Sequence, residues 1–200
     1  MATVQKAFSR ISVSALLILY SVFSMEITLS INKDDVMQEV AVTTAYTGSK
    51  MADNDENALH RISTVDEDEN HLERFWEESR ADICQELIGL VTFEGMVNGI
   101  IIKPNDPEIP IQPSPNALLP IVQPHYELRL EVSKSFDDAL LPSMKLSLRS
   151  FFVHNIVAKW YVYTNKTEAG DYADKAATLL DDIHRKAVYK RKPTRPTYDD

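Results

Sequence analysis

The sequence predicts a mainly α, α+β fold: a small helical bundle of about four helices with a short strand or hairpin and a long proline-rich loop. Apolar residues recur at helical spacing in four separate segments. One further stretch, Tyr126–Val132, alternates apolar and charged residues, as a strand with one buried face does. Seven of the ten prolines fall within residues 94–125, a density that no helix tolerates.

Composition limits the possible functions. The 200 residues, 22.7 kDa, are enough for one domain with a sizeable core. The net charge of −9 argues against a surface that grips nucleic acid. A single cysteine, Cys84, excludes an intramolecular disulfide and a cysteine-based zinc site, and the histidines lack metal-ligand spacing. We therefore expect a protein that is not an enzyme and has no cofactor and no metal.

Residues 1–24 differ from the rest of the chain. Lys6 and Arg10 precede an apolar run, 11–23, that is shorter than the roughly 20 residues a membrane-spanning helix needs. The pattern is typical of a signal peptide. The alternative is that translation begins at Met25, and either interpretation predicts that the working protein starts there.

The first elements of the domain are modest. Alternation over Glu26–Ile31 predicts a short strand or an extended arm. Asp34 and Asp35 suit the first turn of a helix that we expect to end at Gly48. Residues 49–63 are polar and predict a loop.

A second helix is predicted more strongly. Thr64 to Glu67 fits a capping box, and apolar spacing continues to Val91. Cys84 lies on this helix as a small buried hydrophobe rather than a nucleophile. The candidate core residues are Leu72, Trp76, Ile83 and Leu87.

The proline-rich arm, residues 94–125, interrupts the helical pattern. A short strand is possible at Asn98–Lys103, and from Pro104 we expect extended, polyproline-like backbone. Apolar side chains interleaved with the prolines suggest that the arm lies against another surface. The candidate interface residues are Ile109, Ile111, Leu118, Leu119 and Ile121.

The last two helices follow the predicted strand. The first runs from about Pro142 to Tyr163 and is apolar nearly all round, which marks a central helix. We expect Thr167 to cap the second, whose apolar stripe would cover Trp160. The candidate core residues here are Phe152, Ile156, Trp160, Tyr172, Leu180 and Ile183.

Charge is unevenly distributed along the domain (25–188) and the basic tail (189–200). Residues 34–86 contain fifteen acidic and four basic side chains, whereas residues 185–200 contain six basic and two acidic ones. This is either a solvated helix with a mobile tail, or acidic and basic surfaces that meet within one molecule or between copies. The candidate interface residues in the tail are Lys190, Arg191, Lys192 and Arg195.

The order of elements over residues 64–195 resembles the head–tail connector, or head-completion, proteins of tailed bacteriophages and prophages. The resemblance rests on a long apolar helix ending in Lys159-Trp160-Tyr161 and on a last helix containing Tyr172-Ala173-Asp174. Two features depart from that family: the proline-rich arm is longer than the usual connection, and a leader precedes the domain.

The resemblance implies a homo-oligomeric ring, commonly of about a dozen copies, between portal and tail proteins. DNA would be passing cargo in its lumen, no membrane would be involved, and the protein would be found in the virion and, during assembly, in the bacterial cytoplasm. The alternative is a secreted or periplasmic helical binding protein with a cleaved signal peptide and the arm as its binding loop.

Overall fold

The computed structural model describes residues 24–51, 57–99 and 123–191, which form three strands and five α-helices. In chain order these are β1 (Ser24–Ile31), α1 (Lys33–Met51), α2 (Ala58–Ile62), α3 (Glu69–Glu86), β2 (Val91–Gly99), β3 (Gln123–Ser133), α4 (Leu141–Thr164) and α5 (Lys166–Ala187). Short 3-10 turns, Asp66–Asp68 and Asp138–Leu140, precede α3 and α4. The predicted mainly α, α+β class is confirmed.

The sheet is antiparallel, with β3 in the centre and β1 and β2 at its edges. The alternation in β3 is confirmed, because Tyr126, Leu128, Leu130 and Val132 are all buried. The segment after the leader is a strand and not an arm. Ser24, assigned to the leader from the sequence, belongs to β1 and pairs with Ser133.

Helix α4 is the central element, as its apolar sequence predicts. It packs against α1, α3, α5 and β1. Pro142 lies in its first turn, where the missing backbone N–H would have no helical partner. Its buried residues are Met144, Ser147, Leu148, Phe151, Phe152, Val153, Ile156, Val157, Ala158, Trp160 and Tyr161.

Three aromatic rings join the sheet to the helices. Trp76 of α3 stacks on Phe152 of α4 with ring centroids 4.2 Å apart. Tyr126 of β3 meets both rings edge-on, at 5.7 Å from Trp76 and 5.1 Å from Phe152. These offset and edge-on arrangements are the favourable ones for aromatic pairs.

The remaining candidate core residues lie in or against the same core. Ile83, Leu87, Ile156, Trp160 and Ile183 are buried. Leu72, Tyr172 and Leu180 are partly buried and pack against it.

Trp160 is buried, but its indole N–H donates to the carbonyl oxygen of Ile62 in α2 at 2.7 Å. The adjacent Tyr161 makes the ring contact with α5 that we expected of Trp160, meeting Tyr172 edge-on at 5.2 Å. Neighbouring residues on a helix point in different directions, so a one-residue change selects a different partner.

The predicted end of α1 at Gly48 is wrong, because the helix continues to Met51. A Cβ at Gly48 would lie 3.0 Å from Cα of Leu59. Glycine is therefore needed here for the close approach of α2 and not for a helix end. The predicted loop 49–63 correspondingly contains α2.

The capping box predicted at Thr64 does not form. The Thr64 hydroxyl lies 3.3 Å from that of Thr44, and its N–H donates to the same Thr44 oxygen. α3 begins later, after the 3-10 turn, and the Asp68 carboxylate accepts from the N–H of Val65.

The second predicted helix also ends earlier than Val91. α3 stops at Glu86, and Gly89 adopts φ 85°, in the left-handed region that favours glycine. Val91 then begins β2, which extends to Gly99. Pairing with the distant β3 thus prevails over local helical spacing.

Thr167 does not cap α5. A single residue, Asn165, separates α4 from α5, and its carbonyl accepts from the N–H of Glu168 at 3.2 Å. The two helices are therefore joined by a very short connection, which favours antiparallel packing.

We predict that Trp160→Ala lowers the free energy of unfolding by about 3–5 kcal/mol, because it leaves a cavity and removes the hydrogen bond to Ile62. Val162→Ala, two residues along the same helix but half exposed, should change it by less than about 0.5 kcal/mol. Urea denaturation measures both values. Equal effects of the two substitutions would contradict the burial described for Trp160.

Candidate interaction surfaces

An exposed apolar group lies where α5 ends and α3 turns into β2. The side chain of Ile88 is 82% exposed, and those of Val188 and Tyr189 are about half exposed. Lys190 and Arg191 follow directly. We call these five residues the tail surface.

The parts of the tail surface belong together in space. A cavity of about 820 Å³ is lined by Gly89 and Leu90 on one side and by Val188 and Lys190 on another. Ser24, at the start of β1, lines the same cavity. The turn after α3 and the end of α5 therefore form one continuous region.

Hydrogen bonds fix the end of α5 in place. The Ser147 hydroxyl of α4 donates to the Asp182 carboxylate at 2.9 Å, and Lys186 binds the same carboxylate at 2.5 Å. Lys186 also donates to the Ser143 hydroxyl at 2.6 Å. One turn further, the N–H of Arg191 donates to the carbonyl of Ser135 at 2.9 Å.

Burial alone would raise the pKa of the Asp182 carboxyl. The hydrogen bonds from Lys186 and Ser147 outweigh it, so that this pKa lies below its ordinary value of 3.8. Asp182 is therefore ionised at neutral pH and holds α5 to α4 as an anion.

A second exposed apolar group lies on α1. Val36, Val40 and Thr44 bury one face of this helix, whereas Val42 and Tyr46 are both 63% exposed. The first turn of the helix carries two carboxylates, Asp34 and Asp35, which form no ion pair with any described residue. We call Asp34, Asp35, Val42 and Tyr46 the α1 surface.

The acidic side chains of α3 are mostly paired within the chain. Lys33 binds Glu73, and Arg80 binds both Glu77 and Glu94. Further pairs join Glu78 and Asp82 to Lys159, and Glu86 to His184 at 3.5 Å, the last only when the imidazole is protonated. Most carboxylates of α3 are therefore already paired within the chain, and fewer are free to bind the basic surface of another copy than the sequence suggests.

A third feature is an aromatic pocket at the start of α3 and the end of α4. The ring of Tyr163 is 69% exposed and stacks on Phe75 with centroids 6.2 Å apart. One cavity of about 300 Å³ lies between these rings and Trp160, and another of about 270 Å³ lies beside Phe75, Val162 and Tyr163. The charged side chains that line the two cavities are Asp68, Arg74, Glu78 and Lys159, and the imidazole of His71 lies beside them.

The features of the described residues that bear on chemistry are potential metal ligands and the shifted pKa values of a thiol and a phenol. They contain no group of three or more His, Cys, Asp or Glu side chains that could hold a metal ion. Burial raises the pKa of the Cys84 thiol, and it raises the pKa of the Tyr126 phenol far above its ordinary value, an effect that nearby Glu94 reinforces in both groups. Both groups therefore stay protonated at neutral pH, which is the unreactive form.

The structure locates only two of the candidate interface residues, Lys190 and Arg191, both exposed. The others lie outside the described residues: Ile109, Ile111, Leu118, Leu119, Ile121, Lys192 and Arg195. Sequence reasoning missed the exposed apolar side chains, because spacing alone does not separate a core stripe from an exposed one. The available signal for Ile88 was its position beside Gly89, in a turn.

Comparison with protein-family models, with curated proteins and with solved structures found no match. Within the described part of the chain, no helix is both long and apolar enough to cross a bilayer. The surfaces themselves are therefore the basis for proposing a function.

We predict that Asp182→Asn destabilises the protein at neutral pH and that the difference from the original chain shrinks below about pH 4. The depressed pKa stabilises the folded state above the unfolded pKa of the carboxyl, and this stabilisation is lost as the pH falls through the folded value. Asp181→Asn is a matched control, since the Asp181 side chain is 62% exposed. Thermal melts from pH 3 to pH 7 test this; a difference that stays constant over the range would contradict the assignment.

Proposed function

We propose that this chain is a structural subunit that self-associates through two unlike surfaces and closes into a ring, as a head–tail connector of a tailed bacteriophage or prophage. The observation that carries the proposal is the coexistence of the tail surface and the α1 surface on one domain. Each combines exposed apolar side chains with charge, and the two share no residue.

The two surfaces are complementary. Lys190 and Arg191 supply positive charge to the tail surface, and the sequence beyond them adds more. Asp34 and Asp35 supply negative charge to the α1 surface. Two different patches that fit each other make a heterologous contact, which produces a ring when the rotation between copies closes.

Charged and apolar side chains contribute differently to such a contact. Exposed ion pairs contribute about 0–1 kcal/mol each, so they cannot hold a ring by themselves. They select the partner surface and speed the encounter, over distances that salt limits to roughly 8–10 Å. Affinity has to come from burying Tyr46, Tyr189 and the aliphatic side chains beside them, because tyrosine is frequent among the residues that dominate binding energy.

An acidic ring suits the passage of DNA. A protein that neutralises phosphates releases counterions and holds the duplex, and the net charge of −9 opposes this. The order of the long apolar helix α4 and the final helix α5 also supports the resemblance to connector proteins. We propose portal and tail proteins as partners, and the virion, with the bacterial cytoplasm during assembly, as the location.

The second candidate function is a secreted or periplasmic binding protein. Two observations favour it: the leader has the pattern of a signal peptide, and the cavity of about 820 Å³ offers room for a ligand. The compartment from which the protein is recovered separates the candidates. A protein that starts near residue 25 and is found in the periplasm or the medium supports the secreted binding protein. A protein found with phage particles supports the connector.

We predict that Tyr46→Ala and Tyr189→Ala each raise the concentration needed for assembly about tenfold, since truncating a central aromatic costs more than about 1 kcal/mol. Leu146→Ala is the control, because Leu146 is equally exposed on α4 but belongs to neither surface. Light scattering over a concentration series measures assembly, with portal or tail protein added if self-assembly requires it.

The salt dependence gives a second measurement on the same proteins. Replacing Lys190 and Arg191 by glutamate should slow assembly most at low salt, and the effect should shrink as salt is added. A chain that stays monomeric under all these conditions and binds no portal or tail component would contradict the connector function.

A further inference from the structure

We propose that the aromatic pocket formed by Phe75, Trp160 and Tyr163 binds the proline-rich segment 104–113 of a second copy of this chain. The inference rests on the proposed self-association and adds a second contact to it. The occupant is identified by its chemistry, which is that of a polyproline ligand.

The segment has the spacing of such a ligand. Pro104, Pro107, Pro110 and Pro113 recur at every third residue. A polyproline helix has three residues per turn, so that in this conformation the four rings would share one edge. Segments of the PxxP type bind grooves lined by aromatic side chains, and they do so at low entropic cost because their backbone is already extended.

The pocket offers what this ligand needs. The exposed face of Tyr163 is supported from behind by the stacked ring of Phe75, and cavities of about 300 and 270 Å³ lie beside the pair. Both cavities are lined by Arg74, Phe75 and Tyr163, so they adjoin and offer two neighbouring places to a ligand that presents successive rings. Trp160 closes the floor of one of them, held by its hydrogen bond to Ile62.

Charge at the rim is mixed. Arg74 lies over the Phe75 ring at 4.9 Å and pairs with Glu78, which also binds Lys159 at 3.3 Å. The segment carries only two charges between residues 104 and 122, Asp106 and Glu108. Lys159 also pairs with Asp82 at 3.2 Å, and Asp68 lines the same cavity as Arg74, so the charges at the rim nearly balance. A segment with so few charges meets no strong repulsion there, and the aromatic surfaces have to supply the affinity.

The position of the hairpin indicates how the segment reaches a neighbour. Gly99 pairs with Gln123, so the 23 residues between them leave and re-enter at one end of the β2–β3 hairpin. Contacts of Arg80 with Glu94 and of Trp76 with Tyr126 show that the hairpin runs alongside α3. Its open end therefore lies toward the start of α3, and Asp68, His71 and Arg74 at that end of the helix also line the pocket.

A second copy is the better occupant than the same chain. At about 3.1 Å per residue, a polyproline helix from Pro104 to Pro113 would be a semi-rigid rod of roughly 28 Å. Only four residues, 100–103, would link such a helix to Gly99, which leaves little chain to reverse its direction toward the pocket of its own domain. Extending outward to an adjacent subunit needs no such reversal.

A synthetic peptide of residues 103–116 tests the proposal on the full-length chain. Trp160 lines the pocket, so tryptophan fluorescence reports binding, and calorimetry gives the affinity. We expect the peptide to bind the original chain, and to bind Tyr163→Ala at least tenfold more weakly. Leu146→Ala is the matched control: Leu146 is exposed on the same helix to a similar extent and belongs to none of the three surfaces, so peptide binding should be unchanged.

A second peptide, with Pro107 and Pro110 replaced by alanine, should bind at least tenfold more weakly. The first peptide, added in excess, should also raise the concentration needed for assembly, because it displaces one of the contacts between copies. Absence of peptide binding, or equal binding to Tyr163→Ala, overturns the proposal. Peptide binding that leaves the concentration needed for assembly unchanged overturns the intermolecular contact, because the pocket then makes no contact with a second copy.

The outcomes separate this inference from the proposed ring. If the chain binds the peptide through Tyr163 but stays monomeric at every concentration, the ring is refuted and recognition of the segment is supported. If the chain assembles through the α1 and tail surfaces but does not bind the peptide, the ring is supported and the pocket contact is refuted.

Discussion

The stacking of Trp76 on Phe152, with Tyr126 edge-on to both, is the contact on which the arrangement of this domain depends. It joins α3, α4 and the central strand at one point, although these elements are far apart in sequence. Lys33 lies 5.7 Å from the Trp76 ring and ties the start of α1 to the same cluster. Removing any of these rings would loosen the helices and the sheet together.

The candidate surfaces are positioned by contacts that extend from this core. Tyr161 meets Tyr172 and sets α5 against α4. The hydrogen bonds of Asp182 and Lys186 with serines of α4 fix the last turns of α5. The tail surface therefore sits on a rigid helix end. The α1 surface is equally fixed, because Val36 and Val40 bury the opposite face of that helix. Rigid surfaces lose little conformational entropy on association, which favours assembly.

The sequence predicted the elements whose patterns are local and missed those that depend on distant partners. The apolar sequence of α4 and the alternation of β3 each report burial directly. The extension of α1 past Gly48 depends on the approach of Leu59, and the early end of α3 depends on the pairing of β2 with β3. The exposure of Ile88, Tyr46 and Tyr163 likewise depends on the tertiary structure, and the spacing of apolar residues in the sequence does not predict it.

The central claim is that two unlike surfaces of one chain bind each other, and mixing two blocked variants tests it most directly. Val42→Asp blocks the α1 surface and Ile88→Asp blocks the tail surface, both at exposed positions where the fold tolerates a charge. Native mass spectrometry should find each variant monomeric alone, and dimers but nothing larger in the mixture, since one intact copy of each surface remains. Assembly of either variant alone, or a mixture that stays monomeric, would contradict the account.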